Sequence, residues 1–214
     1  MSEQIQSKKI TSPLYGDLSQ INTCRLILDT VGKCNLDEIA RNCIDLLETS
    51  GAIYEANGDY ALGIFSSGWC RYLDNASRQL CATEDNTEAL SCGKWICHEC
   101  CWNEASLKSM TTAQPADIEC KGGIHLYAVP IIANGQAVGS LNIGYGSPPS
   151  SPETLLEIAN RYHVDLDTLT RLSREYKARP PQIIEIAKSQ LPTAAKLIGK
   201  IIESKHAVKE LEVI

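Results

Sequence analysis

The chain has 214 residues, 43% of them hydrophobic, which is enough to bury a full core as one domain with appendages or as two small domains. Its net charge of −6 argues against a nucleic-acid surface, and the short basic stretches are interleaved with acids. No apolar run approaches the roughly 18 residues of a membrane span, and the N-terminus MSEQIQSKKI lacks the apolar core of a signal peptide. The expectation is a soluble, cytoplasmic globular protein without nucleic-acid or membrane partners. In a reducing cytosol its 10 cysteines are ligands, redox groups or core residues rather than a disulfide framework.

Residues 1–16 are polar, with Pro13 and Gly16, and read as a flexible N-terminal arm. Apolar residues between Leu18 and Val31 predict a first helix ending near Gly32. Asn35 is then placed as the cap of a second helix, whose Leu36, Ile39, Ala40, Cys43, Leu46 and Leu47 fall on one face. After Gly51 the period changes to two. Residues 52–56, an Asn57-Gly58 turn and residues 60–65 form a predicted hairpin. Gly68 to Leu80 reads as a helix with Trp69, Leu73, Ala76 and Leu80 inward, and Thr83 to Glu88 as a solvated loop.

The densest chemistry lies between Cys92 and Trp102, where four thiols, one imidazole and two indoles occupy eleven residues. Thiolate is a soft ligand for zinc and iron–sulfur clusters, and Cys97 and Cys100 stand at the C-x-x-C spacing. Closing a site takes further thiols, for which Cys70 and Cys120, each beside a predicted strand, are the candidates. The alternative is a set of buried apolar thiols. A helix from Glu99 to Met110 would put His98 and the cysteines at its N-terminal end, where the helix dipole favours thiolate.

Ile118 to Cys120 and Ile124 to Ala133 read as strands, and Asn134-Gly135 turns the second into residues 137–146. Alternation sets His125 on one face with Tyr127. Gly139, Gly144 and Gly146 cost a strand stability unless a ligand or another element approaches the backbone closely. After a Ser147-Pro-Pro breaker, Ser151 caps a helix to Tyr162 and Asp165 caps one from Leu166 to Tyr176. From Gln182 the chain is helical again. Ala187, Ala194, Ile201 and Val208 recur every seven residues, with Leu197 and Leu211 at matching d positions, which predicts a parallel coiled coil and a homodimer. Pro192 is expected to kink or break this helix. His163 and His206 are expected at the surface.

The order of elements predicts an α+β protein, an α/β sandwich in which a central antiparallel sheet of PAS/GAF-like layout is flanked by helices and followed by a C-terminal helical exit segment. The boundaries are an arm over 1–16, a sensory domain over 17–150, a helical extension over 151–181 and a signalling helix or coiled coil over 182–214.

The residues also resemble the PocR-type sensory domain, a PAS-related ligand-binding module. The resemblance spans about Leu36 to Gly146. It is carried by Ser67-Gly-Trp-Cys-Arg71, by His98-Glu-Cys-Cys-Trp102, by Glu119-Cys-Lys-Gly-Gly-Ile-His-Leu-Tyr-Ala-Val-Pro-Ile131 and by Gly135-Gln-Ala-Val-Gly-Ser-Leu-Asn-Ile-Gly-Tyr-Gly146. It implies a non-enzymatic input domain for a downstream kinase-type output domain, such as a histidine kinase of a two-component system. It also implies that Cys70, Cys101 and Cys120 belong to a pocket or a metal site beside it, with Cys97 as the natural fourth. The extra thiols Cys92 and Cys100 depart from the family pattern. The expected ligand-binding residues are Trp69, His125, Tyr127, Asn142 and Tyr145, and the expected metal ligands Cys70, Cys97, Cys101 and Cys120, holding zinc or an iron–sulfur cluster. Two rivals remain: a structural zinc or iron–sulfur domain, and a thiol enzyme with Cys97 or Cys100 as nucleophile and His98 or His125 as base.

Overall fold

A computed structural model describes residues 14–212, with side chains to Val208. The expected arm therefore lies outside the described residues up to position 13. Near its end, Tyr15 is held by a 2.5 Å hydrogen bond from its hydroxyl to Asp74.

Where a single first helix was expected, a 3-10 turn at Leu18–Gln20 is separated from α1 (Leu26–Val31). The break has a cause in the hairpin beside it. The backbone N–H groups of Thr23 and Cys24 donate to Asp59, and those of Ile27 and Leu28 donate to the buried Glu55 carboxylate at 2.9 Å, so a distant acid caps α1. Helix α2 (Lys33–Leu47) begins directly after Gly32, which has a φ of 87°. Asn35 is thus inside α2 rather than its cap, and its side-chain amide donates back to Val31.

Strands β1 (Ser50–Glu55) and β2 (Tyr60–Phe65) form the first hairpin, followed by α3 (Gly68–Gln79), whose cap is Ser67. The acidic segment is only partly loop: Asp85 accepts from the N–H groups of Thr87 and Glu88 and starts α4 (Asn86–Ser91). The cysteine stretch is helical from α5 (Ile96–His98) through a π-helical segment, Glu99–Ser106, to α6 (Leu107–Thr112). Strands β3 (Ala116–Glu119), β4 (His125–Ala133) and β5 (Gln136–Tyr145) follow, then α7 (Pro152–Tyr162), α8 (Leu166–Glu175) and α9 (Pro181–Glu212). The caps expected at Ser151 and Asp165 are in place.

The five strands lie in the order β2-β1-β5-β4-β3, with every pairing antiparallel, and helices cover both faces. This is the expected α+β sandwich. On one face, Ile53, Val129, Ile131, Leu141 and Ile143 pack against α1, α2 and α9 in the main core. On the other, Ala52 and Tyr54 of β1, Leu126 and Ala128 of β4, and Asn142 of β5 lie under α3, α5 and the π-helical segment.

Helix α9 is part of this core over most of its length. Ala187, Leu191, Ala194, Ala195, Ile198 and Ile202 are buried, so the small residues expected at two seam positions face the protein's own sheet. At Gly199 a β-carbon would collide with the Ile132 carbonyl, so only glycine lets the helix backbone lie this close to β4. Pro192 neither breaks nor ends the helix, which is held by the buried Leu191, Ala194 and Ala195 on either side of it. Ile186, Leu197 and Val208 remain 45%, 49% and 54% exposed on the outer surface. Leu211 lies outside the described side chains.

Candidate functional site

One cavity opens between the inner face of the sheet and the helices above it. Its floor comes from β1, β4 and β5 at the level where Ala52 faces Asn142 and Leu126 faces Gly144. Its roof is α3, which contributes Trp69, Cys70, Leu73 and Asp74 at helical spacing, and the segment carrying Cys97, Cys100 and Cys101. Cys120, Gly122 and Tyr162 close one side. The space open to the centre of a water molecule is about 60 Å³.

Two of the five expected ligand residues meet here. Trp69 is fixed by a 3.0 Å hydrogen bond from its indole N–H to the Gly122 carbonyl. Asn142 ties roof to floor: its amide donates to the Cys101 carbonyl and the Ser106 hydroxyl at 3.2 and 3.0 Å, and its oxygen accepts from the Ala52 N–H at 3.1 Å. His125, Tyr127 and Tyr145 lie on the opposite face of the sheet and do not line this cavity. His125 stacks on Tyr145 with ring centroids 5.1 Å apart. Lys188 of α9 sits 4.9 and 4.8 Å from the Tyr127 and Tyr145 ring centres and pairs with Asp117, which also accepts from the Tyr145 hydroxyl. Alternation correctly put these aromatic residues on one face, but that face holds α9.

All four expected metal ligands line the cavity, and Cys100 joins them. Among the described residues, however, no three His, Cys, Asp or Glu side chains are grouped so as to hold a metal ion. The thiols share a cavity without being drawn into one coordination sphere. Burial works against the ionising effect of a helix terminus at these thiols. Burial pushes Cys97 and Cys101 well above the usual thiol range, and raises Cys70 and Cys120 to about 11 and Cys100 to about 12. At neutral pH this wall is a set of neutral, polarizable thiols.

Asp74, Tyr54 and Tyr60 were not singled out from the sequence. Asp74 is 3% exposed and accepts from the Trp95 indole N–H at 2.8 Å and from the Tyr15 hydroxyl. Burial raises its carboxyl to about 6, against the lowering effect of those two bonds. The available signal was an acid four residues after Cys70 on the inward stripe of a helix. Tyr54 and Tyr60 also line the cavity. The Tyr54 hydroxyl donates to the Tyr60 hydroxyl at 2.9 Å, which contacts Nδ1 of His98 at 3.1 Å. Burial lowers His98 to about 4, so it is neutral at pH 7. A catalytic pairing of thiol and imidazole has no geometric support, because His98 is bonded to Tyr60 and His125 lies on the far face. Of the three tryptophans, Trp69 faces the cavity while Trp95 and Trp102 pack in the core behind it.

Comparison with known protein families matches residues 33–204 to the sensory domain found in PocR. The chain belongs to that family. The match extends over α7, α8 and most of α9, beyond the Leu36–Gly146 span in which the sequence motifs lie. No curated protein and no solved structure matches the chain. Among the described residues no helix is long and apolar enough to cross a membrane.

Proposed function

We propose that this PocR-type domain senses a small, mainly apolar molecule with one hydrogen-bonding group, held in the thiol- and aromatic-lined cavity. The observation that carries the reading is the cavity itself: nearly all of its wall is apolar, and the carboxyl of Asp74 is the ionisable oxygen group that lines it besides the tyrosine hydroxyls. Ligand pockets commonly have this composition, with a few polar groups fixing orientation. Occupation would change the packing of the sheet beneath α9, which would pass the change to a partner copy and to a kinase-type output domain.

Thermal unfolding in the presence of short alcohols and diols of increasing chain length tests the proposal, because a ligand that binds only the folded state raises its stability. The expected result is a stabilisation that peaks at one chain length and disappears in Cys101→Leu, whose larger side chain fills the cavity. Equal responses in the two proteins would refute the site.

A thiolate metal centre is the second reading, favoured by the convergence of Cys70, Cys97, Cys101 and Cys120 on one cavity. It requires those side chains to close around an ion. Elemental analysis of anaerobically purified protein decides: a full equivalent of zinc, or iron with labile sulfide, supports a metal centre, and a substoichiometric content leaves the ligand cavity.

A further inference from the structure

Outside the cavity, two cysteines that play no part in the proposed site stand sulfur to sulfur. Cys81 follows α3 and Cys92 ends α4, and their sulfur atoms are 2.7 Å apart, at a position open enough for both residues to be part-exposed. The ten-residue segment between them contains α4, and Cys92 stands at the C-terminal cap of that helix. Each sulfur has a second contact that holds it in place. Cys81 contacts the Ala89 carbonyl at 3.6 Å, and Cys92 accepts from the Lys94 backbone N–H at 3.3 Å.

We infer that Cys81 and Cys92 are a reversible dithiol–disulfide pair, a modification site separate from the ligand cavity, oxidised by peroxide. The Cys92 sulfur attacks one peroxide oxygen, the O–O bond breaks, and the departing hydroxide leaves as water with the thiol proton. The Cys81 sulfur then attacks the Cys92 sulfenic acid, the S–O bond breaks, and the second oxygen leaves as water with the Cys81 proton. Two thiols have lost two electrons and both peroxide oxygens are reduced, so no further reactant is needed. Reduction by a dithiol reverses the bond.

The order of the steps follows from the surroundings. Burial opposes ionisation of Cys92, but the hydrogen bond with Cys81 and the backbone N–H groups of Lys94 and Trp95 outweigh it and hold Cys92 below the ordinary thiol range. Burial and the same contact with Cys92 raise Cys81 to about 12. Cys92 is therefore the attacking sulfur and Cys81 the resolving one. The bond would join the end of α3, which carries Trp69, Cys70 and Asp74, to the segment leading into α5, which carries Cys97, so it would tie together two parts of the cavity roof.

Trypsin releases both cysteines in one fragment, Gln79–Lys94, which contains no other thiol. The experiment is limiting hydrogen peroxide on the folded chain, then alkylation, digestion and mass measurement. The expected result is a fragment lighter by two hydrogens and free of alkyl groups, formed before the cavity cysteines lose their alkylation, and returned to a doubly alkylated fragment by dithiothreitol. In Cys81→Ser the fragment is expected to carry a sulfenic acid trapped by dimedone. A doubly alkylated fragment after treatment, prior loss of the cavity thiols, or cross-links to other fragments would overturn the inference.

Discussion

Adjacent residues on α9 separate the two uses a long terminal helix can have. Ile198 is fully buried against the sheet, while its neighbour Leu197 is 49% exposed. In the fold described here Ile198→Ala removes three buried carbons beside the close approach of Gly199 to β4, and buried isoleucine-to-alanine changes cost about 2–5 kcal/mol. Taking about 3 kcal/mol, and about 2–4 °C per kcal/mol for a chain of this size, Tm should fall by about 6–12 °C. Leu197→Ala should stay within about 0.5 kcal/mol. Urea unfolding of both variants at low protein concentration, where any dimer has dissociated, measures the difference directly. An unchanged Ile198→Ala midpoint would refute the packing of α9 against the sheet.

Asp74 should make the domain less stable as pH rises. Its folded-state value of about 6 lies above the ordinary 3.8, so the folded chain holds this proton more tightly, and the penalty is absent below 3.8 and complete above about 6. The gap corresponds to about 3 kcal/mol; in Asp74→Asn the urea midpoint should lose this part of its pH dependence, and an identical pH profile in the two proteins would contradict a buried carboxyl. Asn142→Ala removes the three hydrogen bonds that join β1, β5 and the π-helical segment, and should cost about 3 kcal/mol in the same assay; a loss below about 0.5 kcal/mol would mean the roof is held otherwise. If copies of the chain pair through the outer face of α9, Leu197→Asp with Val208→Asp, both at exposed positions, should abolish the dimer in sedimentation without unfolding the domain, and an unaltered dimer would place the interface elsewhere.

Elements with a local cause were legible. The Asn57-Gly58 and Asn134-Gly135 turns with period-two strands gave both hairpins, and Ser151 and Asp165 marked two helix starts. The errors have non-local causes. Nothing near residue 24 in sequence announces that Asp59 and Glu55 will capture the backbone there and divide the first helix. Alternation along β4 separated Tyr127 from Leu126 but could not assign the cavity to one side, because both faces of this sheet are covered and both strand faces are largely apolar. In α9, Ala187 and Ala194 fit a seven-residue seam and an inward stripe equally well. The discriminating signals were Leu191, Ala195 and Ile202, which fit only the stripe, and Gly199, a mid-helix glycine whose cost is repaid only by close backbone contact. The thiols were found as a group because they crowd between Cys92 and Trp102, with Cys97 and Cys100 at C-x-x-C spacing, and because the family resemblance adds Cys70 and Cys120, whereas the approach of Cys81 to Cys92 depends on how α3 and α4 fold together.

The size of the cavity limits what the sensor can recognise and how the recognition can act. About 60 Å³ open to water centres, at about 10–15 Å³ for each water, corresponds to about four to six non-hydrogen atoms. Even the most efficient small ligands gain no more than about 1.5 kcal/mol per atom, which sets a ceiling of about 6–9 kcal/mol and an affinity from tens of micromolar to just below micromolar. Moving a two-state domain from 1:99 to 99:1 takes about 5.5 kcal/mol of selectivity between the states. A ligand of this size would have to place most of its affinity in that selectivity, so the unliganded domain must already lie near balance between its states. Its floor residues alternate with those under α9, Leu126 facing the cavity and Tyr127 and Val129 facing the helix, so a shift of one strand is felt on both faces. Calorimetric titration with the best short alcohol or diol should therefore give a micromolar or weaker constant, and a nanomolar one would require a larger cavity than the one formed here.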